Sequence, residues 1–460
     1  MQTAPCTSVR DQVNDFLANP YYVMLVMLFT AVSFVLGADL IAYTVFAMLA
    51  VYICVLGADL LPLIPIVVCC YTVPSVANNP GRSESAVFAP EQGGIYILCL
   101  GGVIAASLIY RVIRDRKQFF SEKRVLLSGM LVLTAAYLLS GIGSENYADL
   151  AKKNLLFALL QGVSVVVPYW LFTGGVNWKN ARRDYFAWVG FGLGCMLLSQ
   201  ILWIYCTRGV IEDGIIVREK IYTGWGMYNN IGCLLAMMIP FAFYLASKYH
   251  KGWIGTVAGS AFLLGVFLTC SRTSIAVAFL CYAVCVCLML FYARNRRGNA
   301  LALVIVVGVL ALVCLLFHRQ LFRLFSDILE RGTDLNSRDT MYIRGWEKFL
   351  ENPIFGISFY PPKGLAWSWS ETKLASFIPD RWHSTVIQLL ASGGIVCFGA
   401  YVFHRYQTLR LVLRSKTREQ LLIACSVVVL LACSLFDCHF FNIGPTLFYS
   451  MALAFGEKRG

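Results

Sequence analysis

The chemistry-bearing residues of this 460-residue chain gather in a few short stretches. Arg272 sits in Cys270-Ser271-Arg272-Thr273-Ser274, between two apolar runs. A guanidinium stays charged and presents a fork that matches phosphate oxygens, so Arg272 suits a phosphate clamp. At a helix end it is equally suited to snorkel toward water or lipid phosphate. Arg218 precedes Tyr228-Asn229-Asn230 and is either a second clamp or a solvated loop charge. Asn229 and Asn230 suit sugar hydroxyls, or cap the helix that follows. His383, in Trp382-His383-Ser384-Thr385, is one of five histidines. Imidazole titrates near working pH, which suits a general base; an interfacial His beside an aromatic is the plainer reading. Arg344 and Trp346 share a helical stretch, where Arg344 extends a phosphate cluster or faces solvent, and Trp346 stacks on a sugar or anchors at an interface.

What must position these residues is membrane-spanning helix. Hydrophobic residues make up 58% of the chain and charged ones 14%, against about 45–50% and about 25% in ordinary soluble domains. Soluble single domains, nucleic-acid binders and disordered chains are excluded. Apolar stretches between residues 22 and 456 predict about 14 spans, or about 12 if the first and last pairs are misread. The fold class is therefore an all-α polytopic bundle, because backbone groups in lipid must be satisfied within each segment. The run Trp253–Tyr292 is too long for one span and predicts a hairpin with Arg272 near its tip. The 17 Cys lie mostly in apolar runs and form no CxxC pair, as expected of small buried hydrophobes.

Charge supplies an orientation. Arg111–Arg124, Lys179–Arg183, Lys248–Lys251, Arg294–Arg297, Arg405–Arg418 and Lys458–Arg459 all fall on one side of the expected spans, which marks it as cytoplasmic and puts both termini there. The net charge of +13 is then a topology signal, with no nucleic acid as partner. The middles of the spans hold no Lys, Arg, Asp or Glu, which argues against a proton-coupled pump. Ionisable groups collect instead on the outer rim, where an amphiphile with a lipid tail and polar head would meet them. That rim includes a long loop, His318–His383. Leu321, Leu324, Phe325 and Ile328 predict an amphipathic surface helix there. Ser337 is placed to cap a second helix that Asn352-Pro353 stops, ahead of Pro361-Pro362, Gly364, Trp367 and Trp369. The organisation expected is N-terminal helices over 1–206, helices carrying the arginine cluster over 207–317, the large loop over 318–383 and C-terminal helices over 384–460. VLGADL occurs twice, at 35–40 and 55–60, and reads as two helix ends. The sequence holds no DxD and only one adjacent acidic pair, Glu212-Asp213, so metal chemistry has little support.

Three segments together resemble the O-antigen ligase and polymerase family of bacterial membrane glycosyltransferases. They are Ser271-Arg272-Thr273-Ser274 heading a span, Arg344-Gly345-Trp346 through Asn352-Pro353-Ile354-Phe355-Gly356, and His383-Ser384 followed by Gln388-Leu389-Leu390 and Gly393-Gly394-Ile395. The resemblance covers about residues 200–405. It implies a GT-C-like bundle that joins a glycan, carried on undecaprenyl diphosphate, to an acceptor hydroxyl outside the bacterial cytoplasmic membrane. It implies Arg272 and Arg218 as diphosphate ligands, with Arg344 beside them, and His383 as the group that activates the acceptor. No metal or cofactor is implied. The partners are the lipid-linked donor, a glycan or lipid acceptor and the surrounding lipids. A flippase for the same lipid-linked glycans is the alternative, with an envelope scaffold behind it. Ligase and polymerase are not distinguished, since no motif encodes the acceptor.

Overall fold

The computed structural model describes residues 8–73, 94–144, 147–224, 226–330, 338–360, 381–414 and 417–458. The expected Ser337 cap and residues 361–380, with Trp367 and Trp369, lie outside that set. The helices begin with α1 (Val9–Leu17), α2 (Pro20–Leu36), α3 (Asp39–Val55), α4 (Leu63–Cys70), α5 (Gly94–Arg114) and α6 (Arg116–Ser121). Next come α7 (Leu127–Leu138), α8 (Tyr147–Gly175), α9 (Tyr185–Thr207), α10 (Tyr228–Lys248), α11 (Trp253–Leu268) and α12 (Arg272–Tyr292). The chain continues through α13 (Arg296–Leu316), α14 (His318–Glu330), α15 (Arg338–Glu351), α16 (Thr385–Leu413), α17 (Arg418–Leu435) and α18 (Ile443–Lys458).

The fold is an all-α polytopic bundle. Among the described residues, 8 helices are long and apolar enough to cross a membrane, or 9 if α1 and α2, bent by 69°, form one span. Three shorter apolar helices, α3, α7 and α11, accompany them. Enclosure runs against hydropathy. In α10, of mean hydropathy 1.7, 94% of the apolar window is buried inside the protein, whereas α5 and α13, at 2.0 and 2.9, bury 11% and turn apolar faces outward. The repeated VLGADL does mark helix ends. Gly37 takes the left-handed conformation at the end of α2, and Asp39 opens α3.

The 40-residue apolar run breaks where a hairpin requires. It ends as α11 at Leu268 and restarts as α12 at Arg272, with Cys270 left-handed in the turn. Gly232 of α10 makes room for that turn, since a Cβ there would stand 2.7 Å from Thr269 Oγ1. Before α10 come two small hairpins, β1 (Ile211–Glu212) with β2 (Ile215–Ile216) and β3 (Tyr222–Thr223) with β4 (Gly226–Met227). Asp213 and Gly214 turn the first with positive φ at both positions, as a tight two-residue loop demands.

The second and third motif segments weld together. α16 is broken at Gly394 (φ 63°, ψ −164°), which frees backbone groups, and the turn after α15 inserts there. Ile395 and Val396 donate to the carbonyls of Pro353 and Ile354 at 2.8 and 3.2 Å, while Ile357 and Ser358 donate to Ala391 and Ser392 at 2.9 Å each. Gly356 (φ 65°) and Gly394 allow the approach, for a Cβ on either would fall within 2.4 Å of the opposing backbone. Buried backbone polar groups thereby find partners.

The basic stretch Arg405–Arg418 is not a loop from its start, as the charge map expects: α16 runs to Leu413 and carries Arg405 into the bundle. The guanidinium packs over Tyr401, Phe440 and Tyr449, 4.2–5.1 Å from the ring centroids, and donates to Tyr449 OH. A hydropathy reading ends a span at its first cation; aromatic faces let this one continue.

Candidate functional site

The starts of α10, α12 and α16 and the end of α17 meet around a cavity of about 420 Å³. Arg218, Asn229, Asn230, Arg272 and His383 all line it, although 165 positions separate the first from the last. Arg344 and Trp346 do not. Both are exposed, with Trp346 against Phe349, while Arg338 and Met341 of the same helix face the cavity. Gly345 is the motif residue that works inward, since a Cβ on it would stand 2.4 Å from Ile387 and 3.0 Å from Trp382. α15 thus lies close on α16, and Tyr342 OH donates to the His383 carbonyl at 2.9 Å.

Beneath the cavity sits Asp437, two residues past the end of α17 and almost wholly buried. It accepts from Asn229 Nδ2 at 3.0 Å and from the Cys438 amide at 2.7 Å. His383 Nδ1 lies 3.4 Å from one carboxylate oxygen and Arg338 Nη2 3.7 Å from the other. Burial alone would push this carboxyl up; the hydrogen bond from His383 and the neighbouring positive charge outweigh it and hold it well below the usual carboxylate range. His383 itself takes a left-handed backbone (φ 52°), a costly conformation for a residue with a Cβ. Buried Trp382 on one side, its amide on Gln388 Oε1 at 3.0 Å, and the Thr385 hydroxyl on the Asp437 carbonyl at 3.3 Å hold it there.

The asparagines are not helix caps, since Met227 occupies the N-cap of α10. Asn229 holds Asp437, and Asn230 Oδ1 accepts from Asn442 Nδ2 at 2.5 Å and lies 3.2 Å from His439 Nδ1. Arg218 stacks over Tyr228, 5.1 Å from the ring centroid, and pairs with Glu219 at 3.1 Å. Four arginines line the cavity, Arg218, Arg272, Arg338 and Arg381, together with two histidines, against the carboxylates Glu219 and Asp437. That excess of fixed positive charge suits a multiply charged anion such as a diphosphate. Among the described residues, no three His, Cys, Asp or Glu side chains gather as a metal site.

Asp437, Arg338, Arg381 and His439 are site residues that motif reading passed over. The signal was a carboxylate and an imidazole two positions apart, Asp437-Cys438-His439, just beyond an apolar span.

Residues 257–402 match the family model for O-antigen ligase. The match takes in Arg272, both welded segments and His383. It supports the O-antigen ligase and polymerase family and, with the apolar helices, a bacterial membrane protein that ligates or polymerises glycans. Among curated proteins the chain has no match.

Proposed function

We propose that the protein transfers or polymerises a glycan from an undecaprenyl-diphosphate-linked donor onto an acceptor hydroxyl, at the outer face of the cytoplasmic membrane. The observation that carries this reading is the convergence of Arg272, Arg218 and His383 on one cavity, with Asp437 behind the imidazole. Both termini then lie in the cytoplasm, as the basic loops imply.

In this reading Arg272 and Arg218 hold the lipid diphosphate, joined by Arg338 and Arg381, and the asparagines are poised for sugar hydroxyls. Asp437 holds His383 through Nδ1, which leaves Nε2 to take the acceptor proton. The acceptor oxygen attacks the anomeric carbon as the bond to the phosphate oxygen breaks. Its electron pair departs on the lipid diphosphate, where the guanidiniums meet the developing charge. Direct displacement inverts the anomeric centre. The arginines supply the positive charge that a metal would otherwise bring, and no cofactor enters.

The test is transfer by the reconstituted protein from a lipid-linked donor, with EDTA present throughout. Glycan transfer with an inverted linkage, lost in Arg272→Ala and His383→Ala, is the expected result. Movement of the donor across vesicles without transfer would establish the flippase alternative instead.

A further inference from the structure

A second and larger cleft, of about 780 Å³, lies at the other ends of the same helices. α10 and α12 begin at the candidate site and run 21 residues each, about 31 Å at 1.5 Å per residue, before ending there. That length is one bilayer core, so the cleft lies at the opposite membrane boundary. Five cations line it: Arg183 before α9, Lys248 closing α10, Arg294 after α12, Arg418 opening α17 and Lys458 closing α18. Glu419 is the carboxylate among the lining residues. Lys248 is paired with Asp184 at 3.1 Å, Lys458 with Glu122, and Arg418 donates to the Tyr292 carbonyl at 2.9 Å. Arg183 and Arg294 are exposed and make no ion pair among the described residues.

An apolar groove of about 330 Å³ continues from this cleft. The two share Ser247, Tyr292, Thr417 and Arg418, and the groove goes on between α10, α12 and α17 past Phe243, Cys285, Leu288, Met289 and Leu422. A topology signal accounts for cations on this side of the membrane. It does not account for their convergence from five elements onto one cleft, nor for an apolar channel leading out of it. A cationic pocket joined to an apolar groove has the shape and charge of a phospholipid.

We infer that this cleft and groove bind an anionic glycerophospholipid, the phosphodiester headgroup among Arg183, Arg294 and Arg418 and an acyl chain along Met289 and Leu422. The site is separate from the proposed transfer site, and its test does not read transfer. The protein, exchanged into mixed phosphatidylglycerol and phosphatidylcholine nanodiscs, is released and its retained lipids are counted by native mass spectrometry. Selective retention of phosphatidylglycerol is expected. Arg183→Gln with Arg294→Gln should lower that selectivity roughly thirtyfold, since each cation near a membrane surface contributes about 1 kcal/mol and about 1.4 kcal/mol is a factor of ten. Leu421 lines the groove beside Leu422, and Leu421→Trp, which fills it, should lower retention of both lipids. Equal retention of the two lipids by the unaltered protein would overturn the inference, as would an unchanged selectivity in a double variant that keeps its helical circular dichroism. Displacement of the lipid by millimolar inorganic phosphate would overturn it too, by making the cleft a soluble-anion site.

Discussion

His383 Nδ1 stands 3.4 Å from Asp437 Oδ1, and the carboxylate is fixed from its other side by Asn229. An imidazole whose Nδ1 faces a carboxylate is oriented by it. Asp437→Asn keeps the shape and removes the charge. Turnover should fall about 10²-fold while donor affinity changes little, read by transfer kinetics beside donor binding. Unchanged turnover would leave Asp437 a structural residue.

Arg272→Ala and Arg272→Lys should both weaken the protein, the lysine variant by tenfold or more in donor affinity. An ammonium is a point charge and does not reproduce the bidentate fork. Titration of a fluorescent lipid diphosphate measures this, and full affinity in the lysine variant would count against the clamp.

Arg338 and Arg344 make a matched pair on α15. Arg338→Gln faces the cavity and removes a partner of Asp437, so transfer should fall at least tenfold. Arg344→Gln alters an exposed position and should stay within about twofold. The reverse order would show that motif membership, rather than position in the fold, decides which arginine matters.

Stability should fall on acidification through Asp437. Its carboxyl is held below the value of about 4 that it has in an unfolded chain, so its contribution is present above about pH 4 and fades as pH drops further. Thermal unfolding of the detergent-solubilised protein, followed from about pH 6 to about pH 3, should decline more steeply than in Asp437→Asn. Parallel curves for the two would assign the acid sensitivity elsewhere.

Gly394→Ala should cost more than an ordinary helix substitution. The position has positive φ, and the new Cβ would stand 2.2 Å from the Ile354 carbonyl oxygen. Strain of about 1–3 kcal/mol is expected from the backbone alone, seen as a lower unfolding temperature.

Much of this was legible in the residues. Composition and apolar run length reveal the helical bundle, and the 40-residue run with Arg272 near its middle reveals the hairpin. The helices over 318–330 and 338–351 follow from periodicity and from Asn352-Pro353. Local pattern also singles out Arg272 and His383. Asp437 escapes it because the residue looks like any acid just past a span; its partners on α10 and in the 381–384 turn meet it only through tertiary folding. Arg344 misleads for the converse reason. Its motif spacing is right, but the helical face is decided by Gly345 lying against Trp382 and Ile387, and that contact turns Arg344 outward. Hydropathy puts Arg405 at the edge of a loop because it weighs a guanidinium without the aromatic rings that receive it.

The splice between the turn at 353–358 and α16 has a consequence for how such a protein diversifies. Tyr360 and Trp382 are both seated in the bundle, so two fixed anchorages flank positions 361–380 in the sequence. Exchanging those positions for a counterpart of different length is expected to leave both anchor points, and with them the imidazole and its carboxylate, in place. A chimera made there is the natural vehicle for asking what chooses the acceptor.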